Sequence, residues 1–146
     1  PSERVIVLAV DDNAQLINLY QRYVQGTRFK IVSINQGSRI FETIEAIAPD
    51  IIILDLMMPG KDGWQVCREV RSFSNVPIII LSALDNPGMV ASALDAGADD
   101  YLIKPVPSGV LIAHLNNLTR RANAENNGID LRKHTSPFIA TNPLQA

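Results

Sequence analysis

The sequence predicts an α/β fold, a five-stranded parallel sheet doubly wound by helices on both faces. Three observations carry that expectation. Five short apolar runs alternate with amphipathic segments. Several runs are apolar throughout, as strands buried on both faces are. Acidic, hydroxyl and amine side chains stand at the ends of the runs, where open parallel sheets bind their ligands.

The expected strands are Arg4 to Val10, Lys30 to Ile34, Asp50 to Leu54, Pro77 to Leu81 and Asp100 to Ile103, all rich in Val, Ile and Leu. Between them, Leu16, Leu19, Tyr20 and Tyr23 make one helical stripe, and Ile40, Phe41, Ile44 and Ile47 a second. Val66, Val70 and Phe73 make a third, preceded by Asp62 with Gln65 at capping-box spacing. Asn86-Pro87 reads as N-cap and first helical residue of an Ala-rich fourth helix ending near Gly97. Leu111, Leu115, Leu118 and Ala122 mark the fifth. Residues 1–123 are expected to form one domain. Residues 124–146, with Pro137 and Pro143 and no sustained period, read as a linker or mobile tail too short for a second domain.

The 146 residues are 47% hydrophobic and 19% charged, ordinary for a soluble globular protein. With 13 basic against 15 acidic residues the net charge is −2, and nothing in that balance suggests a basic face for nucleic acid. Cys67 stands alone, which excludes an internal disulfide and fits a reducing compartment. No apolar run approaches the ~20 residues that span a bilayer. Val5 to Val10 runs straight into Asp11-Asp12, where a signal peptide would need small residues. A cytoplasmic location is expected. The chain starts at Pro1 without Met, which suggests a removed initiator or a fragment.

Asp11 and Asp12 follow the first strand, Asp55 the third, Ser82 the fourth and Lys104 the fifth. Singly, each has a plain reading as a turn residue, a cap or a solvated lysine. Together on one sheet edge they suggest a site. Three close carboxylates repel unless a cation compensates them. An all-oxygen ligand set with room for water favours Mg²⁺, or Mn²⁺ in its place. Asp55 would then be an in-line nucleophile on a phosphodonor, with Lys104 and Ser82 at the phosphoryl oxygens.

Four segments make this specific. They are VDDN at Val10 to Asn13, ILDLMMPGKDG at Ile53 to Gly63, ILSA at Ile80 to Ala83 and AGADDYLIKP at Ala96 to Pro105. In order and spacing the stretch from about Arg4 to Arg121 resembles the receiver domain of two-component response regulators. The resemblance implies a flavodoxin-like sheet with strand order 2-1-3-4-5. It implies Asp11, Asp12, Asp55 and the Met57 backbone carbonyl as metal ligands, and Asp55 as the phosphorylated residue. Lys104 would contact phosphate, Ser82 and Tyr101 would be the switch pair, and Lys104-Pro105 a cis peptide. Such a domain is not an enzyme in its own right. It assists its own phosphorylation and dephosphorylation, takes its phosphoryl group from a sensor histidine kinase or phosphotransfer protein, and changes a surface around the fourth helix, fifth strand and fifth helix.

Two departures qualify the resemblance. Met57 and Leu84 put apolar side chains where polar ones could orient an attacking water, so slow self-dephosphorylation is expected. Leu111 to Arg121 resembles the fifth helix of OmpR/PhoB-type regulators, yet Val90, Val110 and His114 stand where that class carries charges for a salt-bridged homodimer, while Asp99 and Asp100 remain. That dimer mode is accordingly in doubt, and no direct DNA or membrane binding by this chain is expected. Trp64 and Cys67 read as packing residues.

A haloacid-dehalogenase-type phosphatase also uses a strand-end Asp and Mg²⁺, but it wants a second Asp where Met57 stands. A flavin module needs a phosphate-binding loop after the first strand, which Asp11-Asp12 would oppose. A pseudo-receiver, purely an interaction module, has no need of the acidic pair, Asp55 and Lys104.

Overall fold

The computed structural model describes residues 4–58 and 62–126. Five strands, β1 (Val5–Val10), β2 (Phe29–Ile34), β3 (Ile51–Asp55), β4 (Ile78–Ser82) and β5 (Asp100–Ile103), form one parallel sheet in the order β2-β1-β3-β4-β5. The helices are α1 (Ala14–Tyr23), α2 (Ile40–Ile47), α3 (Gly63–Arg71), α4 (Pro87–Asp95) and α5 (Ser108–Asn126), with a 3₁₀ turn at Gly37–Arg39. The expected strands are all present, with ends displaced by about one residue, as hydrogen-bond fraying predicts.

Alternation along each strand divides the core in two. Val5, Val7, Ala9, Ile51, Ile53, Ile79, Leu81 and Leu102 pack under α1 and α5, against Ile17, Tyr20, Leu111, Leu115 and Leu118. Leu8, Val10, Ile52, Leu54, Ile78 and Ile80 face the other way, against Ile40, Val66, Cys67, Val70 and Ala93 of α2, α3 and α4. Each fully buried Ile or Leu contributes about 1.5–3 kcal/mol through lost apolar hydration. Central strands therefore carry no polar residue until their last position.

Helix ends follow local chemistry. Asn13 caps α1 by accepting from Leu16 N–H (3.1 Å), and Asn86 caps α4 from Gly88 N–H (2.7 Å) with Pro87 in the first turn. Asp62 caps α3 by accepting from Trp64 N–H (2.8 Å), but the expected capping box is only half made. Gln65 instead donates to Glu69 one turn on (3.2 Å). Phe73 also departs from expectation. It lies past the end of α3, 48% exposed, with its ring 5.1 Å from that of Phe41. Helix α5 runs to Asn126, three residues beyond the expected domain boundary, and the rest of the expected tail lies outside the described residues.

One clasp holds α3 to the start of β5. The Arg71 guanidinium donates to the carbonyls of Gly97 (2.8 Å), Ser74 (3.2 Å) and Val76 (2.6 Å) and to the Asp99 carboxylate (2.6 Å). Asp99 accepts in turn from Ile78 N–H (2.8 Å), which fixes the first residue of β4.

Candidate functional site

Strand order and register bring the acidic residues together. The order reverses direction between β1 and β3, and the crevice at such a reversal is where open α/β sheets bind ligands. Val10 is level with Leu54 across β1 and β3, so the next residues, Asp11 and Asp55, are neighbours on adjacent strands. Both continue the rows that face α1 and α5, and parallel strands lie only about 4.8 Å apart. Asp11, Asp12 and Asp55 each present a carboxylate oxygen within 4.8 Å of the others, Asp11 and Asp55 buried and Asp12 at the rim.

Lys104 stands two residues beyond Leu102 on that same face. Its Nζ donates to Asp11 Oδ2 (2.9 Å) and lies 3.3 Å from Asp55 Oδ2. The remaining oxygens meet the main chain, with Asn13 N–H donating to Asp11 Oδ1 (2.9 Å) and Met57 N–H to Asp55 Oδ1 (3.1 Å). Two carboxylates at this separation repel by about 3–4 kcal/mol at an effective dielectric constant near 20. Among the described residues, one ammonium beside three carboxylates leaves two negative charges. A divalent cation on oxygen ligands matches that remainder in charge and in donor type, so the cluster is able to hold a metal.

Ser82 and Tyr101 reach the same sheet end from the opposite face. Ser82 is fully buried, and its Oγ accepts from Leu84 N–H (3.1 Å) rather than reaching Asp55. The half-buried Tyr101 donates its hydroxyl to the Leu84 carbonyl (2.7 Å) while its ring packs against the core under α3 and α4. Leu84 thus ties the two side chains through its own backbone. The Lys104–Pro105 peptide is cis, and Lys104 N–H donates to the Ser82 carbonyl (2.8 Å), extending the β4–β5 ladder. The Met57 side chain is 61% exposed beside Asp55, and Met57 bridges Asp62 across the loop.

Three contributors escape sequence reasoning. Gly63 opens α3 so close to β3 that its N–H donates to the Leu56 carbonyl at 3.3 Å. The Leu84 main chain carries no signal in its side-chain type. Tyr20 reads as one member of a helical stripe, yet its hydroxyl is buried with no hydrogen-bond partner among the described residues. Burial first, then the charges of Asp11, Tyr23 and Asp55, push its phenol up to about 12. Cys67 is buried and its thiol is pushed up by that burial, as befits a packing residue. No helix among the described residues is long and apolar enough to cross a membrane.

Residues 7–116 match the response regulator receiver domain family. Response regulator protein GraR of Staphylococcus epidermidis is 39% identical over 115 residues, covering 79% of this chain and 51% of that protein. The chain therefore spans about half the length of the curated relatives it matches. Among solved structures, the BeF3-activated N-terminal receiver domain of Klebsiella pneumoniae RstA superposes with TM-score 0.75 at 34% identity, covering 79% of this chain and 98% of that one. The receiver domain of Francisella response regulator 1452 gives TM-score 0.76 at 31% identity, over 82% and 99% of the two chains. Sheet order, strand-end residues and relatives agree, and this chain belongs to the response regulator receiver domain family.

Proposed function

We propose that Asp55 is the phosphoacceptor of a phosphorylation-dependent signalling switch. The observation that carries this reading is the meeting of buried Asp55 with Asp11, Asp12 and Lys104 at the reversal point of the sheet. An Asp55 carboxylate oxygen attacks phosphorus in line. The new O–P bond forms as the donor's bond to phosphorus breaks, and the leaving group departs with that electron pair. Asp11, Asp12, Asp55 and the Met57 carbonyl would hold Mg²⁺ or Mn²⁺, which when bound supplies positive charge to the phosphoryl oxygens. Lys104 supplies the second positive charge. Ser82 turns from Leu84 toward the phosphoryl group, and Tyr101, hydrogen-bonded to the same Leu84, responds to that movement.

The donor would be a sensor histidine kinase or a phosphotransfer protein, and a cytoplasmic location suits both it and the lone buried cysteine. Incubation with Mg²⁺ and acetyl phosphate, followed by intact mass measurement, tests the assignment. Wild type gains one phosphoryl group and Asp55→Asn gains none. Equal labelling of the two, or none on either, removes Asp55 from this role.

The output surface lies on α4, β5 and α5. Two of its acids are committed within the chain, Asp99 to Arg71 and Asp100 to His114 Nδ1, while Asp95 at the end of α4 is exposed. Met89, Ile103 and Val110 are exposed there. Any homodimer through this face would thus rest on apolar contact more than on ion pairs. The apolar Met57 and Leu84 beside the acceptor are expected to slow attack by water. After removal of donor, the aspartyl phosphate should persist well beyond seconds in a mass time course. Loss within seconds contradicts this.

A further inference from the structure

The Tyr20 hydroxyl has no role in the reading above, and its position is unusual. Tyr20 is 1% exposed and belongs to the core cluster that includes Ala9, Ile53 and Leu102, the residues two places before Asp11, Asp55 and Lys104, and the charges of Asp11 and Asp55 act on its hydroxyl. A buried hydroxyl left unpaired costs about 1–3 kcal/mol, so phenylalanine would serve a purely apolar purpose better. Its ring lies 5.8 Å from that of Tyr23, whose hydroxyl donates to the Val106 carbonyl (2.9 Å) just after Lys104-Pro105. Tyr23 therefore ties α1 to the loop that carries Lys104, and Tyr20 packs beside it.

Among the described residues, Lys104 alone supplies a side-chain donor to Asp11 and Asp55. A divalent cation bound by those carboxylates would repel the Lys104 ammonium, and the inner edge of the pair would then lose its donor. We propose that Tyr20 is a positioning residue of the acceptor site, its hydroxyl donating to the Asp11–Asp55 carboxylate pair as Lys104 withdraws. This inference rests on the reading of Asp11, Asp12 and Asp55 as a divalent cation site. It adds a donor from α1 that belongs to none of the sequence motifs.

The test compares wild type with Tyr20→Phe, a change that removes one oxygen and keeps the ring. Calorimetric titration with Mg²⁺ alone is expected to show about three- to tenfold weaker binding in the variant, the loss of one hydrogen bond. Without Mg²⁺ the variant should unfold at the same or higher urea concentration, because its unpaired hydroxyl is gone. In wild type labelled with ¹³C at tyrosine Cζ, Mg²⁺ should shift the Tyr20 resonance. Equal Mg²⁺ affinity of the two proteins with an unmoved Tyr20 signal overturns the role and leaves the hydroxyl idle. Absence of Mg²⁺ binding by wild type would instead overturn the reading of the acidic site itself.

Discussion

Lys104→Met is expected to lower the stability of the metal-free protein by about 2–4 kcal/mol, because breaking a buried ion pair strands the charge left behind. Here two charges are stranded, since the one Nζ serves both Asp11 Oδ2 and Asp55 Oδ2. All three side chains are largely shielded, at 14%, 5% and 7% exposure for Lys104, Asp11 and Asp55, so water offers little compensation. Mg²⁺ should restore more stability to the variant than to wild type, because a cation would then relieve repulsion that no other side chain among the described residues relieves. Phosphorylation by acetyl phosphate should nonetheless slow about a hundredfold, the usual scale for loss of one charge-stabilising donor. Urea unfolding with and without Mg²⁺, beside rates of mass gain, measures both effects. Unchanged stability without Mg²⁺ would mean that the carboxylates are compensated by something other than Lys104.

Gly63→Ala should cost about 2–3 kcal/mol through overpacking against main chain. A β-carbon at Gly63 would stand 2.6 Å from Leu56 Cα and 3.0 Å from the Asp55 carbonyl oxygen. Neither atom can rotate away, so the segment leaving β3 must move and Asp55 must move with it. The same substitution should therefore weaken Mg²⁺ binding and slow labelling, coupling a packing defect to the chemistry. Gly109→Ala is the control, since its β-carbon meets nothing within 4 Å and helix propensity favours alanine by about 1 kcal/mol. Thermal unfolding of the two variants side by side is decisive. If Gly63→Ala behaves like Gly109→Ala, the approach of α3 to β3 is not a tight constraint.

The fold was legible because its signal is local. Runs such as Ile51–Leu54 and Ile78–Leu81 are apolar at every position, which only strands covered on both faces require. Residues flanking those runs, Asp11, Asp55, Ser82 and Lys104, could be placed on one edge without coordinates. Other features depend on partners far away in sequence. Arg71 reads as a charged residue on a short helix, yet its bonds reach Gly97 and Asp99. Tyr20 and Gly63 matter through what lies against them, which no periodicity reports. Phe73 failed as a helix-face residue because α3 ends at Arg71, and aromatic contact with Phe41 substitutes for helical packing.

The bonds at Leu84 use its amide and its carbonyl, neither of which belongs to the side chain. Every amino acid but proline offers both groups. Position 84 can therefore exchange its side chain while the hydroxyls of Ser82 and Tyr101 stay tethered. In the proposed switch, the lifetime of the phosphoryl group and its relay would then be separately adjustable at one residue. Selection could retune the duration of a response here without rebuilding the machinery that reports it.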